Sequence, residues 1–357
     1  MSVLKTIEIS FRKFLVEALA RLVRRKQKKP LSLEFSSGKV LFIRQDRIGD
    51  VLVSTPVFFA LAQRYPKLTM DIVLSPKNAV AAQGLPFFRK HWIYSKGPLR
   101  TISLMRSIRK EKYDIAVDLT DKTSATVTIF LLLSGARWTI GLDKENSYAL
   151  DVAVPLKSQR DVHIVERIAE LLRPFGIDPE KETLAVKYVP SDASVKVVAE
   201  FLNSKNFRAR QFIAVNISAG NDTRFWGVAR YRALLDQIGK NLAGTPVLIL
   251  FKDSDRGRAE EIARDRSGVE VAPQFSFDEF AAAISEAGLL VTPDTAAVHL
   301  AAAFGVKAVC MFIQSDRNLR IWDAYKSPSE NLVTDVDDLS KIAVDDVRKA
   351  VKRLWEK

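Results

Sequence analysis

The stretch that decides the fold is Leu289 to Phe312, LLVTPDTAAVHLAAAFGVKAVCMF. Its first three residues are apolar and predict a β-strand that Pro293 ends, because proline cannot donate to a sheet ladder. Asp294 and Thr295 are good N-cap residues, and the alanine-rich segment after them predicts a helix with its C-cap at Gly305. The apolar residues after that glycine predict a buried second strand. This order of elements is the βαβ unit of a parallel sheet.

The polar residues of this stretch are confined to its turn and to the start of its helix. In an open α/β sheet the first N–H groups of such a helix point outward at the carboxyl edge, where phosphates bind. His299 falls one turn into the helix, near Asp294 and Thr295. Two interpretations stay open from this segment alone. It is an anion site, or it is a plain βαβ unit in which Asp294 caps the helix and His299 is a satisfied polar residue.

Three stretches together resemble one family. The pattern D-T-x-x-x-H from Asp294 to His299, followed by an alanine-rich helix, resembles glycosyltransferase family 9, the lipopolysaccharide heptosyltransferases. Val40 to Pro66, VLFIRQDRIGDVLVSTPVFFALAQRYP, resembles that family's opening strand, glycine loop and first helix. Phe212 to Tyr231, FIAVNISAGNDTRFWGVARY, resembles its later strand and the loop before a basic residue and Trp. The three stretches follow the family's order across most of Val40 to Asp335.

From residue 38 onward strands and helices alternate, which predicts an α/β protein with parallel sheets covered on both faces. The resemblance implies two doubly wound Rossmann-like domains facing a cleft, the GT-B arrangement. Val51 to Tyr65 and Asp161 to Phe175 are each predicted as one helix, and Val344 to Trp355 as a last helix that packs back on the first half. The expected parts are an amphipathic basic N-terminal extension (1–37), an acceptor-side domain (38–176), a linker (177–190), a nucleotide-sugar donor domain (191–340) and a C-terminal helix (341–357).

Composition narrows the class of protein. The chain of 357 residues is 47% hydrophobic and 27% charged, which is ordinary for a globular protein and excludes a disordered one. Its one cysteine, Cys310, lies in an apolar segment, so neither an internal disulfide nor a cysteine-based metal site is expected. The apolar runs are too short to span a bilayer, and the N-terminus lacks a secretory signal pattern. A cytoplasmic location is expected.

Residues 1–30 hold nine Lys or Arg against two Glu, although the whole chain has a net charge of only +13. Apolar residues from Leu4 to Leu22 repeat at helical spacing, which predicts an amphipathic basic helix. We expect this helix to dock on the anionic inner face of the cytoplasmic membrane, making the protein peripheral. The alternative is a helix packed on the protein with a solvated basic tail. Nucleic-acid binding is disfavoured, because no aromatic residues interleave with the cations.

The loop between the first strand and the first helix carries Asp46, Arg47, Gly49 and Asp50. Gly49 permits close approach or a positive φ, and Asp50 is expected at or next to the helix N-cap. Taken alone, such an aspartate is a cap. The resemblance implies instead that Asp50 is the general base, and that the rest of the loop faces the acceptor. The family more often has small hydroxyl residues where this chain has Asp46 and Arg47.

The resemblance also implies a donor site in the second half. Arg224 stands where the family commonly has Lys, Gly227 where it usually has Pro, and Ala296 where it usually has Gly. Asp253-Ser254-Asp255 matches a metal-binding D-x-D, but the resemblance makes Asp255 a ribose contact and requires no metal. His91 and His163 have no partners at metal or triad spacing. The expected donor-binding residues are Ser218, Gly220, Arg224, Asp255, Asp294, Thr295, Ala296 and His299.

The function implied is an inverting, metal-independent transfer of a sugar, heptose from ADP-heptose, onto a lipopolysaccharide core or related glycolipid. The nucleotide-diphospho-sugar is a co-substrate, and no other cofactor is expected. Two alternatives stay open. One is a nucleotide-sugar epimerase or hydrolase on a similar scaffold. The other is a catalytically silent, membrane-associated nucleotide-binding protein, which the departures at Arg47, Gly227 and Ala296 allow.

Overall fold

The computed structural model describes residues 37–356, which form two compact units. The first unit comprises residues 37–158 and Ile164–Leu184, and the second comprises Gln159–His163 and residues 185–356. The chain therefore passes between the units after Ser158, after His163 and after Leu184, and the last of these crossings lies within the segment expected to be a linker. The amphipathic basic helix predicted near the N-terminus lies outside the described residues.

The first unit is a six-stranded parallel sheet with the order β3-β2-β1-β4-β5-β6. Its strands are β1 (Lys39–Ile43), β2 (Thr69–Leu74), β3 (Phe88–Ile93), β4 (Ile115–Asp118), β5 (Trp138–Leu142) and β6 (Val152–Val154). Its α-helices are α1 (Ile48–Val53), α2 (Thr55–Arg64), α3 (Pro98–Lys110), α4 (Ala125–Leu133) and α5 (Ile164–Ala169).

The second unit repeats this topology, with the order β12-β11-β10-β7-β8-β9 and all pairs parallel. Its strands are β7 (Ile213–Asn216), β8 (Val247–Leu250), β9 (Val269–Val271), β10 (Leu289–Pro293), β11 (Lys307–Ile313) and β12 (Ser329–Thr334). Its α-helices are α6 (Asp192–Ser204), α7 (Val228–Asn241), α8 (Arg256–Ala263), α9 (Phe277–Glu286), α10 (Ala296–Phe304) and α11 (Val344–Trp355). The prediction of two doubly wound α/β units is confirmed.

In both sheets the strand order reverses beside the first strand of the unit, between β1 and β4 and between β7 and β10. Val40 to Ile43 and all of β7 are buried and almost wholly apolar, as expected for parallel strands covered on both faces. Loops leaving the carboxyl ends of neighbouring strands part at such a switch point and open a crevice there. Each unit therefore has one favoured place for a ligand.

The helix predicted over Val51 to Tyr65 is wrong in its start and in its continuity. It begins three residues earlier, at Ile48, and is broken at Ser54 into α1 and α2. Pro56 causes the break, because it has no N–H to donate to the preceding turn and its ring crowds that turn. Hydroxyls replace the lost donors, since Ser54 Oγ bonds the Asp50 carbonyl at 2.8 Å and Thr55 Oγ1 bonds the Leu52 carbonyl at 2.7 Å.

Two further boundaries differ from expectation. The segment predicted as one helix to Phe175 is α5 followed by a 3-10 turn over Glu170–Phe175, which contains Pro174. Strand β10 runs two residues past Val291, to Pro293. Asp294 N–H donates to the Met311 carbonyl on β11. Successive residues of a strand bond opposite neighbours, so the nitrogen of Pro293, which has no hydrogen, faces β7. No bond is lost there, because the pairing of β10 with β7 has already ended at Val291.

The last helix, α11, packs in the second unit and not on the first half as predicted. Val347 and Leu354 are buried in the core cluster of the second sheet, and Trp226 Nε1 donates to the Ile342 carbonyl at 2.9 Å just before the helix. A Cβ on Gly288 would clash with the Arg210 carbonyl oxygen and would lie 2.8 Å from Trp355, so only glycine fits between that backbone and the end of the helix. Among residues 37–356, no helix is long and apolar enough to cross a bilayer.

Candidate functional site

Asp50 lies in the first turn of α1, three residues after the N-cap residue Arg47, and not at or next to the N-cap as predicted. Its Oδ2 accepts the Arg47 N–H at 2.8 Å, which satisfies one of the orphan donors at the helix start. Its Oδ1 accepts Arg44 Nη2 at 3.2 Å. The carboxylate is therefore both a capping group and one half of an ion pair, with 12% of the side chain exposed.

Arg44 is fully buried at the end of β1 and connects three elements. Its Nε donates to the Asp50 carbonyl at 3.0 Å, and its Nη1 donates to the Leu119 carbonyl at 2.6 Å, just after β4. Nη1 also lies 3.6 Å from Asp46 Oδ2. A planar guanidinium with several fixed donors suits this role, which a single ammonium could not fill. Arg44 was not among the predicted site residues.

The rest of the acceptor-side loop is more open. Asp46 keeps 43% of its side chain exposed. Partial desolvation raises the pKa of its carboxyl; the Arg44 guanidinium opposes this rise, and the nearby carboxylate of Asp50 adds to it. Gly49 lies inside α1 and is not among the described glycines with positive φ, so a left-handed backbone is not the reason for glycine there. Arg47 is exposed at the N-cap.

A second polar cluster, which was not predicted, lies at the carboxyl end of β4, beside β1. Asp118 is fully buried, accepting from Thr120 Oγ1 at 2.6 Å and from Lys144 Nζ at 2.8 Å. Arg167 Nη1 bonds Asp121 at 3.2 Å, and desolvation lowers the pKa of this guanidinium. The available signal was the run Asp-Leu-Thr-Asp directly after a buried strand, because polar residues at that edge mark ligand sites.

At the switch point of the second sheet, Asn216 connects β7 to the turn after β10. Its Nδ2 donates to Thr292 Oγ1 at 2.9 Å and to Thr295 Oγ1 at 3.2 Å. Thr295 is the N-cap of α10 and accepts the Ala297 N–H at 3.4 Å. The hydroxyl predicted to contact the donor is thus held in place from two sides. Asn216 was not among the predicted site residues.

Arg224 and Asp294 form an ion pair of 2.7 Å in front of α10, with 28% and 33% of their side chains exposed. Asp294 therefore does not cap the helix, a role that Thr295 fills. Ala296 is the first residue of α10. His299 is 4% exposed, and its ring centroid lies 6.5 Å from that of Trp322. Arg224 is thus near the helix N-terminus, whereas His299 is set back from the surface.

Asp255 lies beside a cavity of about 360 Å³ in the second unit. Its carboxylate is 5% exposed and accepts Ser218 Oγ at 2.9 Å and Arg258 Nη1 at 3.2 Å. The Arg258 guanidinium stacks 4.4 Å from the Phe225 ring centre, forming one wall. Gly220 is exposed in the loop above, where a Cβ would meet no atom within 4 Å. The other lining residues are Ala219, Asn221, Asp222, Lys252 and Ser254.

The D-x-D tripeptide forms a short 3-10 turn, Asp253–Asp255, in which Asp255 turns toward Arg258 and Ser218. In the part of the chain that the structure describes, no group of three or more His, Cys, Asp or Glu side chains is arranged to hold a metal ion. His163 is buried in the second unit, where its ring stacks on Tyr325 and its Nε2 lies 3.3 Å from Asp323.

The family profile described as glycosyltransferase family 9 (heptosyltransferase) matches residues 101–337, more than half of the chain. Lipopolysaccharide heptosyltransferase 3 of Escherichia coli is 24% identical over 284 residues, covering 75% of this chain and 81% of that protein. The matched range contains the whole donor-side set from Ser218 to His299. The match begins after the loop that carries Asp50. The role expected of Asp50 therefore rests on its position in the fold.

Two solved structures share the fold. The glycosyltransferase family 9 protein from Veillonella parvula DSM 2008 has a TM-score of 0.77 at 18% identity, covering 92% of this chain and 99% of that one. Escherichia coli heptosyltransferase WaaC with ADP-2-deoxy-2-fluoro heptose has a TM-score of 0.70 at 16% identity, covering 88% of this chain and 99% of that one. At such low identity the likeness concerns the fold alone.

Proposed function

Because this chain belongs to glycosyltransferase family 9 (heptosyltransferase), we propose that it transfers heptose from ADP-heptose to a lipopolysaccharide core or related glycolipid. The relative from Escherichia coli is a lipopolysaccharide heptosyltransferase, and the solved WaaC structure holds an ADP-heptose analogue. These names support the donor and acceptor classes. The chain's own residues support the individual roles.

The donor assignment rests on one observation, the convergence of Arg224, Thr295 and the first N–H groups of α10 at the switch point of the second sheet. Helix N-termini and guanidinium groups both favour phosphate oxygens. Asp294 holds one nitrogen of Arg224, and a guanidinium has further N–H donors for a diphosphate. The diphosphate therefore binds between Arg224 and the start of α10.

The nucleoside occupies the cavity beside Asp255. Two hydrogen bonds from the protein leave the Asp255 carboxylate with unused acceptor capacity, which suits the two hydroxyls of a ribose. Ser218 fixes this carboxylate and precedes Gly220 in the same loop, so the loop and the carboxylate are positioned together. Thr295 and Asn216 continue the network toward the diphosphate.

The first unit supplies the base. The acceptor hydroxyl attacks the anomeric carbon as the bond to the nucleotide diphosphate breaks, and the hydroxyl proton passes to Asp50. One displacement inverts the anomeric centre. The leaving nucleotide diphosphate takes the bonding electron pair, so negative charge develops on its oxygen atoms. Arg224, Thr295 and the α10 dipole stabilise that charge without a metal ion. Asp46 and Arg47 lie in the same loop and contact the acceptor.

We also propose that the protein is peripheral at the inner face of the cytoplasmic membrane, attached by its N-terminal basic segment. Such attachment suits an acceptor that is itself a membrane glycolipid. The cations of residues 1–30 and their apolar stripe support this placement.

The direct test is a transfer assay with the purified full chain, ADP-heptose and a heptose-deficient core acceptor, with and without a chelator. We expect a product of inverted anomeric configuration by NMR, formed equally with chelator present. Complete conversion of ADP-heptose without an acceptor would instead indicate an epimerase or hydrolase. A thermal shift with ADP-heptose but no turnover would indicate a catalytically silent nucleotide-binding protein, because a ligand at a hundredfold its Kd stabilises by about 2.7 kcal/mol.

A further inference from the structure

The positive charge of the described chain is concentrated around β3 and α3. Residues 86–112 contain eight Lys or Arg and a single Glu, whereas the net charge of all 357 residues is +13. Together with the nine cations of residues 1–30, this segment accounts for essentially the whole excess of positive charge. Such a local excess sets up a strong field on one part of the surface.

Large apolar side chains are exposed in the same place. Leu99 is 81% exposed and Ile102 is 48% exposed, both in the first half of α3. At helical spacing these two residues share a stripe with Arg106 and Lys110, opposite the buried face that carries Met105. We call the set Lys96, Leu99, Arg100, Ile102, Arg106 and Lys110 the basic α3 face.

Carboxylates of the described residues do not neutralise this face. Glu111, the only acidic residue of the segment, lies at the end of α3 and is bonded to Arg89 and Lys90 on strand β3. Within residues 37–356, the exposed cations Lys96, Arg100, Arg106 and Lys110 form no ion pair. The charges of the basic α3 face are therefore available to an anionic partner.

The location of this face suits a role at the acceptor side. Strands β1, β2 and β3 are parallel, so α1 and α3 both begin at the carboxyl edge of the first sheet. Leu99 is the second residue of α3, and Asp50 is the third of α1. The exposed apolar end of the basic α3 face thus belongs to the sheet edge that carries Asp50.

We propose that the basic α3 face docks on the surface of a bilayer containing anionic phospholipids. Leu99 and Ile102 enter the interfacial region, and the surrounding Lys and Arg side chains lie against the lipid phosphates. Apolar side chains among cations, without aromatic residues on the stripe, fit a lipid surface better than a nucleic acid, whose bases stack on aromatic rings. This contact is separate from the one proposed for residues 1–30 and needs no catalysis.

The first test compares two double variants of the full chain. Leu99→Glu/Arg106→Glu alters the basic α3 face, and Val197→Glu/Lys196→Glu makes the same change of charge and apolarity on α6, where both residues are exposed. Cosedimentation with phosphatidylcholine–phosphatidylglycerol vesicles should be weakened at least about tenfold by the α3 change and hardly by the α6 change. Wild-type binding by the α3 variant, or equal weakening by both variants, would overturn the proposal.

The second test locates the contact directly. The chain's one cysteine, Cys310, is fully buried, so Leu99→Cys adds the thiol that a maleimide dye labels in the native protein. An environment-sensitive dye at this position should shift to the blue with anionic vesicles and stay unchanged with phosphatidylcholine alone. The same dye on Val197→Cys is the matched control and should not shift. Absence of a shift at Leu99→Cys, or an equal shift at both positions, would contradict the proposal.

Discussion

Arg44 and Asp50 are joined twice: Arg44 Nη2 donates to Asp50 Oδ1 at 3.2 Å, and Arg44 Nε donates to the Asp50 carbonyl at 3.0 Å. One buried guanidinium thereby fixes both the carboxylate and the backbone of the proposed base. A general base must be held within hydrogen-bond reach of the proton it takes, so this double contact is a positioning device.

Replacing Arg44 with Gln should destabilise the protein by about 3 to 5 kcal/mol, because it leaves the Asp50 carboxylate partly buried without its cation. Thermal unfolding measures the loss. Arg317→Gln is the matched control, since Arg317 pairs with Asp335 while 76% and 47% of the two side chains are exposed, and its loss should cost about 1 kcal/mol or less. Equal melting temperatures for the two variants would show that the buried pair does not hold this loop.

Replacing Arg224 with Ala should weaken ADP-heptose binding by about 1.5 to 3 kcal/mol, the usual value of a hydrogen bond to a charged group. Isothermal titration calorimetry gives the dissociation constant. Lys240→Ala removes an exposed cation from α7 and should leave donor affinity unchanged. Full donor affinity in Arg224→Ala would mean that this guanidinium does not face the diphosphate.

Asp278 gives the second unit a defined sensitivity to acid. Burial favours the protonated form, but bonds from Ser191 Oγ and N–H and from Tyr188 Oη hold the pKa of this carboxyl below its usual value. A lowered pKa contributes stability that is present above the unfolded-state pKa and is lost as pH falls through the folded-state pKa, here below about pH 4.

Asp278→Asn should therefore lower the melting temperature at about pH 7, through a loss of about 1 to 3 kcal/mol, and the difference from wild type should narrow at about pH 3. Melting curves across this range provide the measurement. A constant difference at both pH values would show that the ionised carboxylate is not the stabilising form.

Deleting residues 1–29 should reduce binding to anionic vesicles. Vesicle binding by the full chain should also depend more steeply on salt than binding by the truncated chain, because exposed charges are screened within about 10 Å at 0.1 M salt. Turnover of a water-soluble acceptor should be unaltered. Vesicle binding equal to that of the full chain would contradict attachment through this segment.

The repeated fold was predictable because its signals are local. Apolar runs such as Val40 to Ile43 end at polar loops. In the βαβ unit around Asp294, the element boundaries are marked by Pro293, Thr295 and Gly305. The family assignment made on these stretches is confirmed. Boundaries were less predictable. The break at Ser54 follows from one proline inside a helical pattern, and the three-residue strands β6 and β9 carry too few residues to show a period.

The contacts of the site could not be predicted from spacing. Arg44 and Asn216 bond partners that lie 75 and 76 residues away, at Leu119 and Thr292, and Lys144 bonds Asp118 from 26 residues away. Only the meeting of strand ends at one sheet edge brings them together. Arg224 and Asp294 were both predicted to bind the nucleotide-sugar. The sequence did not predict that they form an ion pair with each other.

The central claim is that Asp50 takes the proton of the acceptor hydroxyl, and Asp50→Asn tests it most directly. The amide oxygen can still accept the Arg47 N–H, but its NH₂ group faces Arg44, so we expect a stability loss of about 1 to 3 kcal/mol. Donor affinity should be unchanged, because the proposed donor site lies in the second unit. Turnover at saturating donor should fall by about a hundredfold to ten-thousandfold. Turnover within a few-fold of wild type would contradict the account and leave Asp50 as a capping residue.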